Sequence, residues 1–149
     1  MGASIALAES GANVTLVSRT EGELKDLTDH INNQGYKASF KVLDVNNEDA
    51  VSDFINGNES FDILINNAGT NRPAKLIDTN IEDFDYVMSL NVRSVISLTK
   101  LVVKKMLDNK LNGSIINVSS QMGHVGGPNR TTYCSSKFAI EGFTKSLAI

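Results

Sequence analysis

Apolar positions along the chain follow two alternating periods, one of helices and one of short strands. Ile5 and Leu7 among alanines predict a first helix that stops at Gly11, a C-cap candidate. Val14 to Val17 then reads as a strand. Leu24, Leu27 and Ile31 at i, i+3 and i+7 make Glu21 to Gln34 an amphipathic helix. Thr20 is its expected N-cap, with Glu23 completing a capping box, and Gly35 ends it. Residues 38–42 form the next strand and Glu48 to Ile55 the next helix. The run Phe61 to Ile65 reads as a fully buried parallel strand. The longest helical pattern runs from Ile81 to Asn109, and its apolar residues cover more than one face, which predicts burial on several sides. A strand at 114–119 follows, and from Thr132 onward Phe138, Ile140, Phe143 and Leu147 keep helical spacing. This alternation indicates an α/β doubly wound parallel sheet.

Composition narrows the class. The chain has 149 residues, enough for one domain with a sizeable core, and a net charge of −3. Lysines and arginines are dispersed, with no basic stripe for nucleic acid. No apolar run is expected to approach the roughly 20 residues of a membrane span, and no basic segment with a cleavage site marks a signal peptide. The single cysteine, Cys134, has no partner for an internal disulfide and fits a reducing cytoplasm; it reads as a packing residue.

The chemistry concentrates between Gly113 and Lys145. A strand delivers Ser119 and Ser120 onto a glycine-rich loop, Gln121 to Arg130. Tyr133 follows Ser120 by thirteen positions, and Lys137 lies four further on, on the same helical face. A phenol with a reference pKa of about 10 is a poor base at neutral pH, and a neighbouring ammonium favours its phenolate form. A serine hydroxyl can bond the same substrate oxygen. Asn91, within Ser-Leu-Asn-Val-Arg-Ser, is a candidate fourth member, either as an amide holding a relay water or as a kink in its helix. Together these groups suit proton transfer at an alcohol or carbonyl. The loop walls the expected substrate pocket, with Met122 and His124 as candidate contacts. His124 reads as a pocket-lining or satisfied loop histidine rather than a catalytic one. No metal site is expected.

Tyr133-x-x-x-Lys137, Ser120 at its offset, the tetrad Asn66-Asn67-Ala68-Gly69 and Asn91, in that spacing, resemble the short-chain dehydrogenase/reductase family. The resemblance implies a partial NAD(P)-binding Rossmann-like domain over residues 1–149. The family's glycine fingerprint and first strand would precede Met1, and its last strands would follow Ile149. In the family's strand order that first strand is central, which implies a gap or an abnormal closure of the sheet. The family's site implies Tyr133 as general acid or base, Lys137 as its electrostatic partner and ribose ligand, Ser120 orienting the substrate oxygen, and Asn91 sustaining the relay. Asp44 and Val45 resemble the pair beside adenine, although Asp44 also fits an N-cap. Asn67, Ala68 and Gly69 allow close approach of a ribose or adenine, while the asparagines of this tetrad also suit locking strand ends together. NAD-dependent members carry an acidic residue where Ser18 stands, and Arg19 beside it suits a phosphate, which favours NADP(H) over NAD(H).

The stretches Asn66–Pro73 and Ser119–Arg130 look similar to sugar-acid and polyol members such as gluconate 5-dehydrogenases, so a sugar acid or polyol is the expected substrate, with 3-oxoacyl-acyl-carrier-protein reductases as the rival. The resemblance also implies a homodimer or homotetramer through helices 81–109 and 131–149. A reading from another class is an inactive fragment serving at most as an oligomerisation module.

Overall fold

A computed structural model describes all 149 residues, which divide into two units, Met1–Asn47 and Glu48–Ile149. The first contains helix α1 (Gly2–Glu9), strand β1 (Asn13–Ser18), helix α2 (Glu21–Asn33) and strand β2 (Lys37–Val42). β1 and β2 pair in parallel, with Val14 opposite Ala38 and Leu16 opposite Phe40. Ala8, Leu16, Leu24 and Ile31 form the core, packed by Ile5, Val14, Leu27, Ala38 and Phe40. Gly11 (φ 92°) and Gly35 (φ 86°) sit in the left-handed region just past α1 and α2, where a side chain would be strained. The capping box at Thr20 does not form. Its side chain makes no capping bond, and its N–H instead donates to Ser18 Oγ at 3.2 Å.

The second unit runs α3 (Glu48–Gly57), β3 (Ile63–Asn66), α4 (Ile81–Met88), a π-helical turn (Ser89–Arg93), α5 (Ser94–Asp108), β4 (Ser114–Asn117) and α6 (Thr131–Leu147), with short 3₁₀ turns at Leu76–Asp78 and Gln121–Gly123. β3 and β4 pair in parallel, with Ile63 opposite Ser114 and Asn66 opposite Asn117. The expected full burial of β3 is not observed, since Ile63 is 44% exposed. β3 has a hydrogen-bonded neighbour on one side only. The four strands thus make two separate parallel pairs.

The stretch from α4 to α5 is one helical path of 28 residues, long and apolar enough by length and composition to cross a membrane. This corrects the expectation that no apolar run approaches such a length, because polar residues interrupt the apolar ones along this helical path. Val87, Leu90, Val95, Val102 and Met106 are buried in the protein core along with Val51, Ile55 and Ile140. Asn66 locks the strand ends to the helices: its Nδ2 donates to Thr99 Oγ1 at 2.9 Å and to Asn117 Oδ1 at 2.8 Å. Asn117 Nδ2 in turn donates to Thr144 Oγ1 on α6 at 2.9 Å.

One lysine closes the end of α3. Lys105 Nζ donates to the carbonyl oxygens of Ile55 at 2.7 Å, Asn56 at 3.1 Å and Asn58. A cation there satisfies carbonyls that the helix leaves open and sits at the negative end of its dipole. Lys105→Ala is expected to lower unfolding free energy by about 1–2 kcal/mol in urea titration. Lys104→Ala, which breaks only the exposed pair with Asp108, is expected to change it by less than about 0.5 kcal/mol.

Candidate active site

The sequence of α6 carries Tyr133, Ser136 and Lys137 through its first two turns. Lys137 is only 6% exposed. Its Nζ donates to the Val118 carbonyl oxygen at 2.8 Å and lies 5.8 Å from the centre of the Tyr133 ring, within cation–π range. Burial pushes the Lys137 ammonium below its ordinary pKa. Further N–H groups on Nζ are left for a ligand.

Asn91 sits in the π turn and is 1% exposed. Its Oδ1 accepts from the Thr70 N–H at 2.8 Å, and its Nδ2 donates to the Thr70 carbonyl at 2.9 Å and to Ser136 Oγ at 3.0 Å. Both amide hydrogens are therefore committed to protein. The expected side-chain hold on a relay water is reduced to one remaining Oδ1 lone pair, while the expected departure from regular helix is present as the π turn. The clamp brings Gly69 to this centre: a Cβ there would lie 3.3 Å from Asn91 Oδ1 and 3.8 Å from Lys137 Nζ. Gly69 is exposed, as are Asn67 and Ala68, so a cradle opens on the ammonium that any larger residue would fill.

Ser120 precedes the 3₁₀ turn Gln121–Gly123 and caps it, its Oγ accepting from Met122 N–H at 3.2 Å. That bond uses a lone pair and leaves the O–H to donate. The turn docks on α6 because Gly123 has no side chain: a Cβ would meet Ser119 Oγ at 2.6 Å, Glu141 Cγ at 3.0 Å and Lys137 O at 3.3 Å. His124 Nε2 lies 3.3 Å from Glu141 Oε1 on α6, so this loop histidine reaches across to the helix. Met122 is half-buried, packed where a Cβ on Gly127 would come within 2.7 Å of its Cε. Cys134 Sγ is 4.0 Å from the Val125 carbonyl oxygen.

In the first unit, Arg19 Nη1 lies 3.9 Å from Asp44 Oδ2, and Asp44 Oδ1 accepts from Asn46 N–H at 2.9 Å. Asp44 closes a local turn and does not cap α3, which starts at Glu48. Ser18 and Val45 are half-buried. Three participants in the second unit were absent from the sequence reading: the Thr70 backbone, the Val118 carbonyl and Ser136. The first two are main-chain groups with no residue signature. Ser136 stands three residues after Tyr133, a helical offset that marks it as a neighbour.

All 149 residues match the family model of the short chain dehydrogenases, and the chain belongs to that family. It is 36% identical to an "Uncharacterized oxidoreductase" of Thermotoga maritima, over 99% of this chain and 59% of that protein. It is 34% identical to the 3-oxoacyl-acyl-carrier-protein reductase of Rickettsia bellii, over 93% of this chain and 56% of that protein. A gluconate 5-dehydrogenase from Burkholderia cenocepacia, in complex with NADP and tartrate, superposes with a TM-score of 0.89 at 29% identity, covering 98% of this chain and 59% of that one. The chain thus spans somewhat more than half the length of these relatives and has the parallel α/β architecture of a Rossmann-like fold.

The lowered Lys137 pKa makes a signed prediction. Its folded-state value lies below its unfolded value, so between the two the unfolded chain binds more protons. The cost of burying the ammonium is complete below that window and disappears as pH rises through it. Stability of the protein relative to Lys137→Met is expected to rise with pH up to about 10.4, as read by urea titrations at several pH values.

Proposed function

We propose that this site belongs to an NAD(P)-dependent oxidoreductase that interconverts a secondary alcohol and a ketone. The observation that carries the reading is the convergence of Lys137 Nζ, the Tyr133 ring and the open Gly69 cradle around the Asn91 clamp. A bound nicotinamide would supply the hydride in reduction and accept it in oxidation. Tyr133 Oη gives a proton to the substrate oxygen in the first direction and takes it back in the second. Ser120 directs its free O–H at the same oxygen and stabilises its developing charge. Lys137 places a desolvated positive charge beside the phenol, where a phenolate forms on proton release. Its remaining N–H groups, beside the Gly69 cradle, suit ribose hydroxyls. Ser18 and Arg19, with Asp44 and Val45, are assigned to the adenosine end, and Arg19 favours NADP(H) through the ribose phosphate. Its neighbour Asp44 opposes that preference in part.

A sugar acid or polyol is the favoured substrate, supported by the likeness to the Burkholderia gluconate dehydrogenase and its tartrate ligand. A 3-oxoacyl thioester is the alternative, supported by the Rickettsia relative. Met122 and His124 wall the substrate side. Exposed Ile96, Leu107, Phe138 and Leu147 on α5 and α6, several of them lining a groove of about 520 Å³, support a homodimer or homotetramer through these helices. NADPH-dependent reduction of a keto-sugar acid is expected to exceed that of an acetoacetyl thioester, and Tyr133→Phe is expected to cost at least about a hundredfold in kcat. Retained turnover in Tyr133→Phe overturns the assignment, and a reversed substrate order selects the thioester reading.

A further inference from the structure

Ser136 and Asn91 form a relay in which the direction of every bond is fixed. Ser136 lies on α6 and is 0% exposed. Its hydroxyl donates to the Tyr133 carbonyl oxygen at 2.7 Å, so only lone pairs remain to face Asn91. Asn91 Nδ2 donates to one of them at 3.0 Å. That contact and the two to Thr70 together decide which end of the amide faces the helix. A reversed amide would set Oδ1 against two acceptors, Ser136 Oγ and the Thr70 carbonyl, and Nδ2 against the Thr70 N–H. In the observed orientation all of these contacts are complementary, and the Thr70 backbone is held in both its donor and its acceptor.

We propose that Ser136 is a positioning residue: by accepting from Asn91 it braces the Asn91 amide in the orientation that the Thr70 contacts require, and thereby holds the Gly69–Thr70 backbone against Lys137. The catalytic consequence rests on the oxidoreductase reading, whereas the clamp itself does not. Loss of the acceptor leaves one N–H of a buried amide unpaired and leaves the clamp held by the Thr70 contacts alone. Gly69 then loses its fixed place beside the ammonium, where the ribose hydroxyls would bind. Alanine at position 136 removes the hydroxyl and adds no bulk. Ser135 is the control, since it is exposed and its hydroxyl bonds only the Thr131 carbonyl within the same helix.

The test is side-chain amide NMR on the whole protein, Ser136→Ala and Ser135→Ala, followed by NADPH titration of each. The Asn91 amide hydrogens are expected to exchange with solvent about tenfold faster in Ser136→Ala and at the original rate in Ser135→Ala. NADPH affinity is expected to fall several-fold in Ser136→Ala, and to show no further fall when the same change is made in an Asn91→Ala background. Unchanged Asn91 exchange in folded Ser136→Ala overturns the proposal, as does an equal loss of affinity in both backgrounds. Faster exchange together with no NADPH response in any form supports the clamp and counts against the oxidoreductase reading instead.

Discussion

The site depends on one buried amide. Asn91 lies in the interior of a long helix, where an unpaired amide would cost free energy with nothing to offset it. The chain resolves this with a π turn at residues 89–93 and with the Thr70 backbone, which offers both a donor and an acceptor. The consequence is positional. The loop after β3 is pinned to the helix, and Gly69 comes to rest near Lys137. π turns are a recurrent departure from regular helix at functional sites, and here the departure coincides with the residue that ties three elements together.

Lys137 shows the cost of this arrangement. A buried ammonium bonded to a carbonyl oxygen carries a desolvation penalty that a fold selected for stability alone would avoid. Perturbed titratable groups of this kind gather where chemistry is done. The glycines serve the same end by omission. Gly123 lets the turn behind Ser120 settle on α6, and Gly69 leaves room beside the ammonium. Both positions trade side-chain packing for close approach of backbone.

Much of this was legible in the sequence because it is written in local spacing. Tyr133 and Lys137 at i and i+4 announced a shared helical face, and apolar periodicity located α2, α6 and the helical path from α4 to α5, though not the π turn within it. Gly11 and Gly35 marked helix ends through the conformation that glycine alone adopts freely. Interactions that span the chain were not legible. The bond from Asn91 to Ser136 joins residues 45 positions apart, and the bonds to Thr70 and Val118 use main-chain atoms that any residue type would present. Burial of β3 was misread because an apolar run reports affinity for a core, whereas exposure depends on how many neighbours the strand acquires. The Glu23 half of the box at Thr20 met a competing acceptor in Ser18, two residues earlier, which takes the Thr20 N–H.

The most direct test of the central claim, that this centre is a nicotinamide site, is a fluorescence titration of the folded protein with NADPH and NADH, repeated with Lys137→Met. The account predicts a saturable response, tighter for NADPH than for NADH and weakened by the substitution. A folded sample that responds to neither cofactor would contradict it.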